Sequence, residues 1–442
     1  MTSSDTIYAA SSGAGRAGIA VVRVSGPQAA EALRTMAGNL PAPRQAVVRK
    51  LSDPAKEDTL DQAVVLWLPG PRSVTGEDVA EFHVHGSAAV IAGLFAAFNT
   101  IRGLRPAEAG EFTRRAFANG RIDLVEAEGL ADLLNARTSR QRQQAMHHLM
   151  GDASSVYDNW RLKLLAILAR VEAAVDFVEE EGVAEAAIAN VRSDIVALAD
   201  AMASALESAG KAVAIREGIK VVLAGLPNTG KSSLLNALAK REAAIVSSRP
   251  GTTRDVIEVV VEIEGLAVTL TDTAGLRDDS PDEIETIGIS RTHRELGEAD
   301  LVVWVGSPDV ADSSTPWSQV QPSLRVLNKV DLITPGAAHF PSSLAISARS
   351  GAGVAELIAE LARLVREKYG QSGHPVIVRD RQKQAVKESI RYLNDSLSHG
   401  PAQLELAAED LRKVAHSLGR ITGRIDVEDL LAAIFSEFCI GK

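Results

Sequence analysis

In the first part of the chain, short apolar runs rich in β-branched residues stop at Gly, Pro or Ser. Gly18–Val24 (GIAVVRV), Ala46–Arg49, Gln62–Leu68 (QAVVLWL) and Val79–Val84 read as strands, with helices over Gln28–Met36 and Ser87–Thr100. This predicts an α+β domain over residues 1–118. From Arg121 to Val213 the strand signal vanishes. Ala, Leu, Glu and Arg recur at helical spacing with few Pro or Gly, which predicts three long helices. Within them Leu162, Leu165, Leu168 and Ala169 are expected on one apolar face, with Glu172 and Asp176 on a charged one. From Gly218 to about Gly373 strands and helices alternate, as in a parallel sheet with crossover helices. After His374-Pro375 the chain is helical again to Lys442. That tail is short for a core of its own. The simpler expectation is one discontinuous all-α domain (119–215 and 375–442) with an α/β domain (216–374) inserted in it. Insertion is undemanding because the ends of a domain usually lie close together.

Composition narrows the function classes. Of 442 residues 46% are hydrophobic and 24% charged, which excludes a wholly disordered chain. Aromatics are only 4%, so the cores must rely on Ala, Leu, Val and Ile. Lys plus Arg total 47 against 57 Asp plus Glu, a net charge of −10, so any nucleic-acid contact needs a local basic patch or a basic partner. A single Cys excludes an intramolecular disulfide or a multi-cysteine metal site. No apolar run approaches the ~18 residues of a membrane span, and the first residues carry no export signal. The expectation is a cytoplasmic protein without membrane contact.

The chemistry is concentrated in the alternating segment. The apolar run Ile219–Ala224 leads into Gly225-Leu226-Pro227-Asn228-Thr229-Gly230-Lys231-Ser232 and then the helical Ser233–Leu238. Strand, GxxxxGKS and helix in that order form a phosphate cradle: backbone N–H groups and a helix N-terminus face the anion. Lys231 is expected on the β and γ phosphates and the Ser232 hydroxyl on Mg²⁺. A second strand ends in Asp272-Thr273-Ala274-Gly275; Asp272 would hold Mg²⁺ through water and the Gly275 N–H would sense the γ-phosphate. A third ends in Asn328-Lys329-Val330-Asp331. The Asp331 carboxylate can accept from guanine N1–H and the 2-amino group, which adenine does not offer there. Ser347-Ala348-Arg349 follows a fourth strand, Leu344–Ile346, and matches the element whose backbone contacts guanine O6. Together these elements resemble the Ras-like GTPases, which implies GTP as the bound nucleotide. In that resemblance Thr253 of GTTRD closes on Mg²⁺.

One residue departs from the Ras pattern. The Gln that orients the attacking water after DTAG is replaced by Leu276, which cannot do so. Asn228 together with Ser247-Ser248-Arg249-Pro250-Gly251-Thr252 matches GTPases that use K⁺. A monovalent cation held by Asn228, Ser247, Arg249 and Thr252 would supply the charge an arginine finger gives elsewhere. Glu285, in EIETIGI, is expected to orient water, although an acidic residue at a helix start also has a purely electrostatic explanation.

The chain ends in Phe438-Cys439-Ile440-Gly441-Lys442 and carries RVSG (Arg23–Gly26), TGED (Thr75–Asp78), GEFT (Gly110–Thr113) and RAFANG (Arg115–Gly120). With the inserted GTPase, these resemble the MnmE (TrmE) family of tRNA modification GTPases from end to end. The resemblance implies a dimerising N-terminal domain that binds 5-formyl- or 5,10-methylene-tetrahydrofolate, and a homodimer. It further implies an FAD-dependent partner, MnmG, completing a heterotetramer. Together they would add an aminomethyl or carboxymethylaminomethyl group to C5 of the wobble uridine of certain tRNAs. K⁺ and G-domain pairing would stimulate GTP hydrolysis. Carried over by motif, Arg23, Glu81, Arg121 and Lys442 are expected at the folate. Many relatives have Lys where Arg121 stands; Arg keeps the charge but not the shape. Cys439, beside the one-carbon site, is a candidate catalytic thiol, though a cysteine there is more often a small buried hydrophobe. His83 and His85 share a strand face, but a metal site would need a third ligand. The competing readings are a ribosome-assembly GTPase of the Era or Der type, which predicts a basic RNA-binding appendage, and a regulatory scaffold without modification chemistry.

Overall fold

A computed structural model describes residues 5–13, 15–56, 58–175, 183–241, 258–272, 295–310, 321–333, 343–370, 375–400, 403–425, 431, 434–435 and 438–441. The chain divides into two compact units: residues 1–131, 148–199 and 385–442, and residues 132–147 and 200–384.

The first unit holds a six-stranded sheet of order β3-β4-β5-β2-β1-β6. Its strands are β1 (Thr6–Ala10), β2 (Ala17–Ser25), β3 (Val47–Asp53), β4 (Asp58–Leu68), β5 (Val79–Gly86) and β6 (Leu104–Pro106). Helices α1 (Ala29–Ala37) and α2 (Ala88–Phe98) contribute Leu33, Met36, Leu94 and Phe98 to a core with Tyr8, Val22, Val24 and Phe82. The Ser87 hydroxyl caps α2 by accepting from the Val90 N–H at 3.2 Å. Alternation places Ala9, Arg23 and Glu81 on the sheet's other face, in register across three strands: Ala9 pairs with Arg23, and Arg23 with Glu81. Helix α3 (Glu111–Ala118) sets Phe112 against Ile7 and Ala9 there. The predicted strands are all found, and β1 and β6 are additional, since both are too short to show alternation.

Residues 121–217 form more helices than expected: α4 (Leu124–Asn135), α5 (Ser139–Leu149), α6 (Asp152–Val175) and α7 (Val183–Glu217). The expected apolar face of α6 is corrected. Tyr157, Trp160, Leu164, Ile167 and Val171 point inward, while Leu162 is 64% and Leu165 37% exposed. The helix carries two apolar stripes, and the one with the aromatic side chains buries more area.

The second unit holds a sheet of order β12-β11-β10-β7-β9-β8. Its strands are β7 (Ile219–Ala224), β8 (Glu258–Ile263), β9 (Leu266–Asp272), β10 (Leu301–Gly306), β11 (Leu324–Leu327) and β12 (Leu344–Ala345). Only the β8–β9 pair is antiparallel. Near-continuous apolar runs such as Val221–Ala224 and Leu301–Gly306 are buried throughout, as strands covered on both faces require. Helix α8 (Lys231–Arg241) and α9 (Val354–Tyr369) cover the sheet; α9 does so with Val354, Leu357, Leu361, Val365 and Tyr369 at helical spacing. Helices α10 (Asp380–Ser398) and α11 (Leu404–Thr422) follow, and α11 packs on α6 in the first unit. Among the described residues, no helix is long and apolar enough to cross a membrane.

Candidate active site

The cleft of the second unit opens where β7, β10 and β11 end, the carboxyl edge at which parallel sheets bind ligands. Between β7 and α8 the chain turns through Gly225 at φ 149° and Gly230 at φ 87°. A Cβ on Gly225 would sit 2.2 Å from the Val305 carbonyl oxygen, and one on Gly230 would sit 2.4 Å from Asn328 Nδ2, so both positions require glycine. Lys231 is buried and donates from Nζ to the carbonyls of Gly225 at 2.9 Å and Leu226 at 3.1 Å. The ammonium therefore rests on the loop that would wrap a phosphate. One residue on, Ser232 Oγ donates to Asp272 Oδ2 at 2.5 Å. A hydroxyl and a carboxylate brought together from α8 and β9 are hard oxygen donors of the kind Mg²⁺ prefers.

The Asn328–Asp331 and Ser347–Arg349 segments are joined to the same loop. Asn328 Nδ2 donates to the Thr229 carbonyl at 3.0 Å, while its Oδ1 accepts from the Ala348 N–H at 3.0 Å. Lys329 Nζ reaches the Asn228 carbonyl at 2.6 Å. Ser347 Oγ donates to Asp331 Oδ1 at 2.6 Å and accepts from the Ser350 N–H at 3.2 Å. Gly230, Ser233, Asn328, Lys329, Asp331, Leu332, Ala348 and Arg349 line a cavity of about 460 Å³. Seven of these eight residues are ones the sequence singled out; Leu332 is not. The sequence missed the Ser347 side chain as the group that aims Asp331, and it missed Asp309, whose Oδ2 accepts from Lys329 Nζ at 2.7 Å. Neither lies in a motif that names its role.

Ser247, Ser248, Arg249, Pro250, Gly251, Thr252, Thr253, Thr273, Ala274, Gly275, Glu285 and Lys442 lie outside the described residues.

In the first unit Arg23 Nε donates to Glu81 Oε1 at 2.9 Å, and the guanidinium stands 5.9 Å from the centre of the Phe112 ring. His83 Nε2 lies 3.2 Å from Glu81 Oε2. Burial pushes the Glu81 carboxyl up, but the Arg23 charge and the hydrogen bonds from His83 and Arg23 outweigh it and hold it below the usual carboxylate range. His85 pairs separately with Asp61 at 2.7 Å. Among the described residues no cluster of three or more His, Cys, Asp or Glu side chains could hold a metal. Ser11 Oγ donates to the Gly441 carbonyl at 2.9 Å, and Ile440 bridges Ala109, so the end of the chain docks at the end of β1, the strand beside Arg23. Cys439 in this tail is exposed, not buried as a small hydrophobe would be. Arg121 lies apart from the ion pair: its stem packs at Gly76, next to Thr75, whose hydroxyl is 2.7 Å from Ser25 Oγ on β2. The structure pairs Arg23 with Glu81 and docks the tail on the neighbouring strand β1, while the Arg121 stem packs at the loop that carries Thr75.

The fold and the cleft define a P-loop GTPase domain set within a larger chain. The family description "MnmE helical domain" matches residues 124–439, and "GTP-binding protein TrmE N-terminus" matches residues 6–121. A protein of Methylobacterium sp. (strain 4-46) named tRNA modification GTPase MnmE is 47% identical, covering 99% of this chain and 100% of its own length. One of the same name from Parvibaculum lavamentivorans is also 47% identical at the same coverage, and one from Rhodopseudomonas palustris is 45% identical over 100% of this chain and 99% of its own. Among solved structures, the G domain of the T. maritima FeoB iron transporter matches 35% of this chain and 99% of that domain at 24% identity. Its TM-score of 0.23 is too low to argue from. The chain belongs to the MnmE family of tRNA modification GTPases.

Proposed function

We propose that this protein hydrolyses GTP, with K⁺ as activator, to drive modification of the wobble uridine of tRNA. It acts with the FAD-dependent MnmG to install an aminomethyl or carboxymethylaminomethyl group at C5. The observation that carries the reading is that the phosphate loop adjoins the Ser232–Asp272 pair and is tied, through Asn328 and Lys329, to the cavity that Asp331 lines. Lys231 leaves the loop carbonyls for the β and γ phosphates when nucleotide enters. Ser232 and Thr253 would hold Mg²⁺, with Asp272 acting on it through a water. Asn228, Ser247, Arg249 and Thr252 would hold K⁺, which would supply positive charge to the phosphates. Thr229, Gly230, Ser233 and the segments 247–253 and 272–275 wrap the phosphates. Asn328, Lys329, Asp331, Ser347, Ala348 and Arg349 take the base. Leu276 cannot align water, so that task falls to Glu285.

The N-terminal domain (1–118) binds tetrahydrofolate and dimerises. The helical domain (119–215 and 375–442) carries the G domain (216–374). Arg23, Glu81, Arg121 and Lys442 bind the folate. The half-buried Arg23–Glu81 pair, backed by Phe112, offers a cation and an anion to a flat heterocycle with donor and acceptor edges. When bound, the folate supplies the one-carbon unit. Cys439 stands beside it as the candidate thiol. The working assembly is a homodimer joined by MnmG in a heterotetramer, in the cytoplasm.

GTP turnover measured in K⁺ and in Na⁺, with and without the flavoprotein, tests the reading. Faster turnover in K⁺, raised further by the partner, is expected. Equal turnover in Na⁺ by a monomer would refute it.

A further inference from the structure

Asp309 belongs to none of the GTPase motifs, yet it is built into the nucleotide site. It stands on the turn Ser307-Pro308-Asp309 that follows β10. In the sheet β10 lies between β7 and β11, so this turn emerges between the phosphate loop and the Asn328–Asp331 segment. Lys329 Nζ spans that gap, with Asp309 Oδ2 at 2.7 Å on one side and the Asn228 carbonyl at 2.6 Å on the other. Both ends of the span have left-handed backbone: Asn228 at φ 65° and Lys329 at φ 60°. Lys329 lines the base cavity, whereas Asp309 does not.

We infer that Asp309 is a positioning residue for the nucleotide: it anchors the Lys329 ammonium so that the lysine's aliphatic stem stays in place as one wall of the base cavity. The physical need is plain. A lysine side chain is a flexible four-carbon stem ending in a strongly hydrated point charge, and a single carbonyl does not fix it. A carboxylate and a carbonyl on opposite sides restrict Nζ, and the stem is then ordered before the base arrives. Ordering it in advance lowers the entropy lost on binding. The carboxylate is itself held by Lys329, and that bond, with the Ser307 hydroxyl nearby, keeps it below its usual range and so ionised at neutral pH.

The inference rests on the guanine reading of the cavity, and the test separates the two. Binding of fluorescent GDP, IDP and XDP to the full-length protein is measured for the parent, Asp309→Ala, Asp309→Asn and Asp331→Asn. The stem is aliphatic and carries no donor or acceptor that could read the exocyclic groups. Asp309→Ala should therefore weaken GDP and IDP equally, by about three- to tenfold, the range for a partly exposed charged hydrogen bond. Asp309→Asn, which keeps an acceptor, should recover part of the loss. Turnover at saturating GTP and the melting temperature should stay within about twofold and a degree or two of the parent. Unchanged GDP affinity in Asp309→Ala overturns the inference, as does a joint fall in turnover and melting temperature. Asp331→Asn should turn preference from GDP to XDP. If it does not, the guanine reading fails, while the anchor is still judged by the Asp309 affinities.

Discussion

Ser347 aims Asp331: its hydroxyl donates to Asp331 Oδ1 at 2.6 Å, and the Ser350 N–H donates in turn to that hydroxyl at 3.2 Å. The Asp331 carboxylate is thus fixed by a side chain from the neighbouring strand's loop. Ser347 is buried but Asp331 is exposed, so water makes up part of the loss when the hydroxyl is removed. Ser347→Ala should weaken GDP binding by roughly five- to tenfold, the cost of about 1 kcal/mol or slightly more. It should also narrow the preference for GDP over IDP, because a loosely held carboxylate reads the 2-amino group poorly. Binding titrations with both nucleotides decide the point, and equal losses for the two would remove Ser347 from the specificity machinery.

Much of this cleft was legible because its elements are local. A strand, a glycine-bearing turn and a helix start are adjacent in sequence, so residues 219–238 announce their own geometry. Asp309 was illegible for the opposite reason. It meets Lys329 only because β10 lies beside β11, and nothing around Ser307-Pro308-Asp309 reports that adjacency. The error on α6 has another origin: Leu162 and Leu164 both sit in apolar stripes, and periodicity cannot rank two stripes whose partners are distant in sequence. In the first unit, Arg23 and Glu81 were each read from a motif, but their cross-strand pairing needed the register of β2 on β5.

The Ser232–Asp272 contact makes a statement about Mg²⁺. Asp272 is 1% exposed and would act on the ion through a water, as an outer-shell acceptor. Asp272→Asn keeps the size and one acceptor oxygen but removes the charge. Losing such a partner typically costs about 10- to 100-fold in metal affinity. The Mg²⁺ concentration for half-maximal GTP turnover should rise in that range, with GDP binding in the absence of Mg²⁺ little changed. A Mg²⁺ titration unaltered by the substitution would place the ion elsewhere.

Glu285 is the residue proposed above to align the attacking water. Glu285→Ala should leave GTP affinity within about twofold and reduce turnover by roughly 10²- to 10⁴-fold, the range for losing a positioned proton acceptor. Single-turnover measurements in K⁺ separate the two quantities. A variant that turned over at the parental rate would reassign water alignment to another group.

The Arg23–Glu81 pair predicts a split between charge and shape. Arg23→Ala removes the cation and leaves the Glu81 carboxylate, only 14% exposed, with His83 as its remaining partner. Tetrahydrofolate affinity, read by calorimetry, should fall by about ten- to a hundredfold, as expected for a charge-assisted contact. Arg23→Lys keeps the charge but not the fork and should recover only part of it. GTP turnover in the absence of tRNA should be unaffected, since the pair belongs to the first unit and the nucleotide cleft to the second. Unchanged folate binding in Arg23→Ala would remove the residue from the site.

Glu111 sets the acid limit of the first unit. Its carboxylate, 2% exposed, accepts from Arg105 at 2.6 and 2.9 Å, from Arg115 at 3.0 Å and from the Glu108 N–H at 2.9 Å. Burial pushes the carboxyl up, but the Arg105 bonds, the Glu108 N–H and Arg115 outweigh it and leave it below its usual range. Glu81 is depressed as well. A carboxyl depressed by folding stabilises the folded state above its unfolded value of about 4.3, and that stabilisation drains away as pH falls through the lower folded value. The thermal transition of the first unit should therefore be flat from neutral pH down to about 5 as far as these groups are concerned, and fall steeply below about 4. Glu111→Gln loses the charge at every pH. At pH 7 it should cost about 2 kcal/mol, the worth of hydrogen bonds to a charged group, and the gap from the parent should narrow as the parent is acidified. Thermal denaturation of parent and variant at pH 7 and at pH 3.5 makes the comparison. A gap of the same size at both values would show that Glu111 contributes through packing and not through its charge.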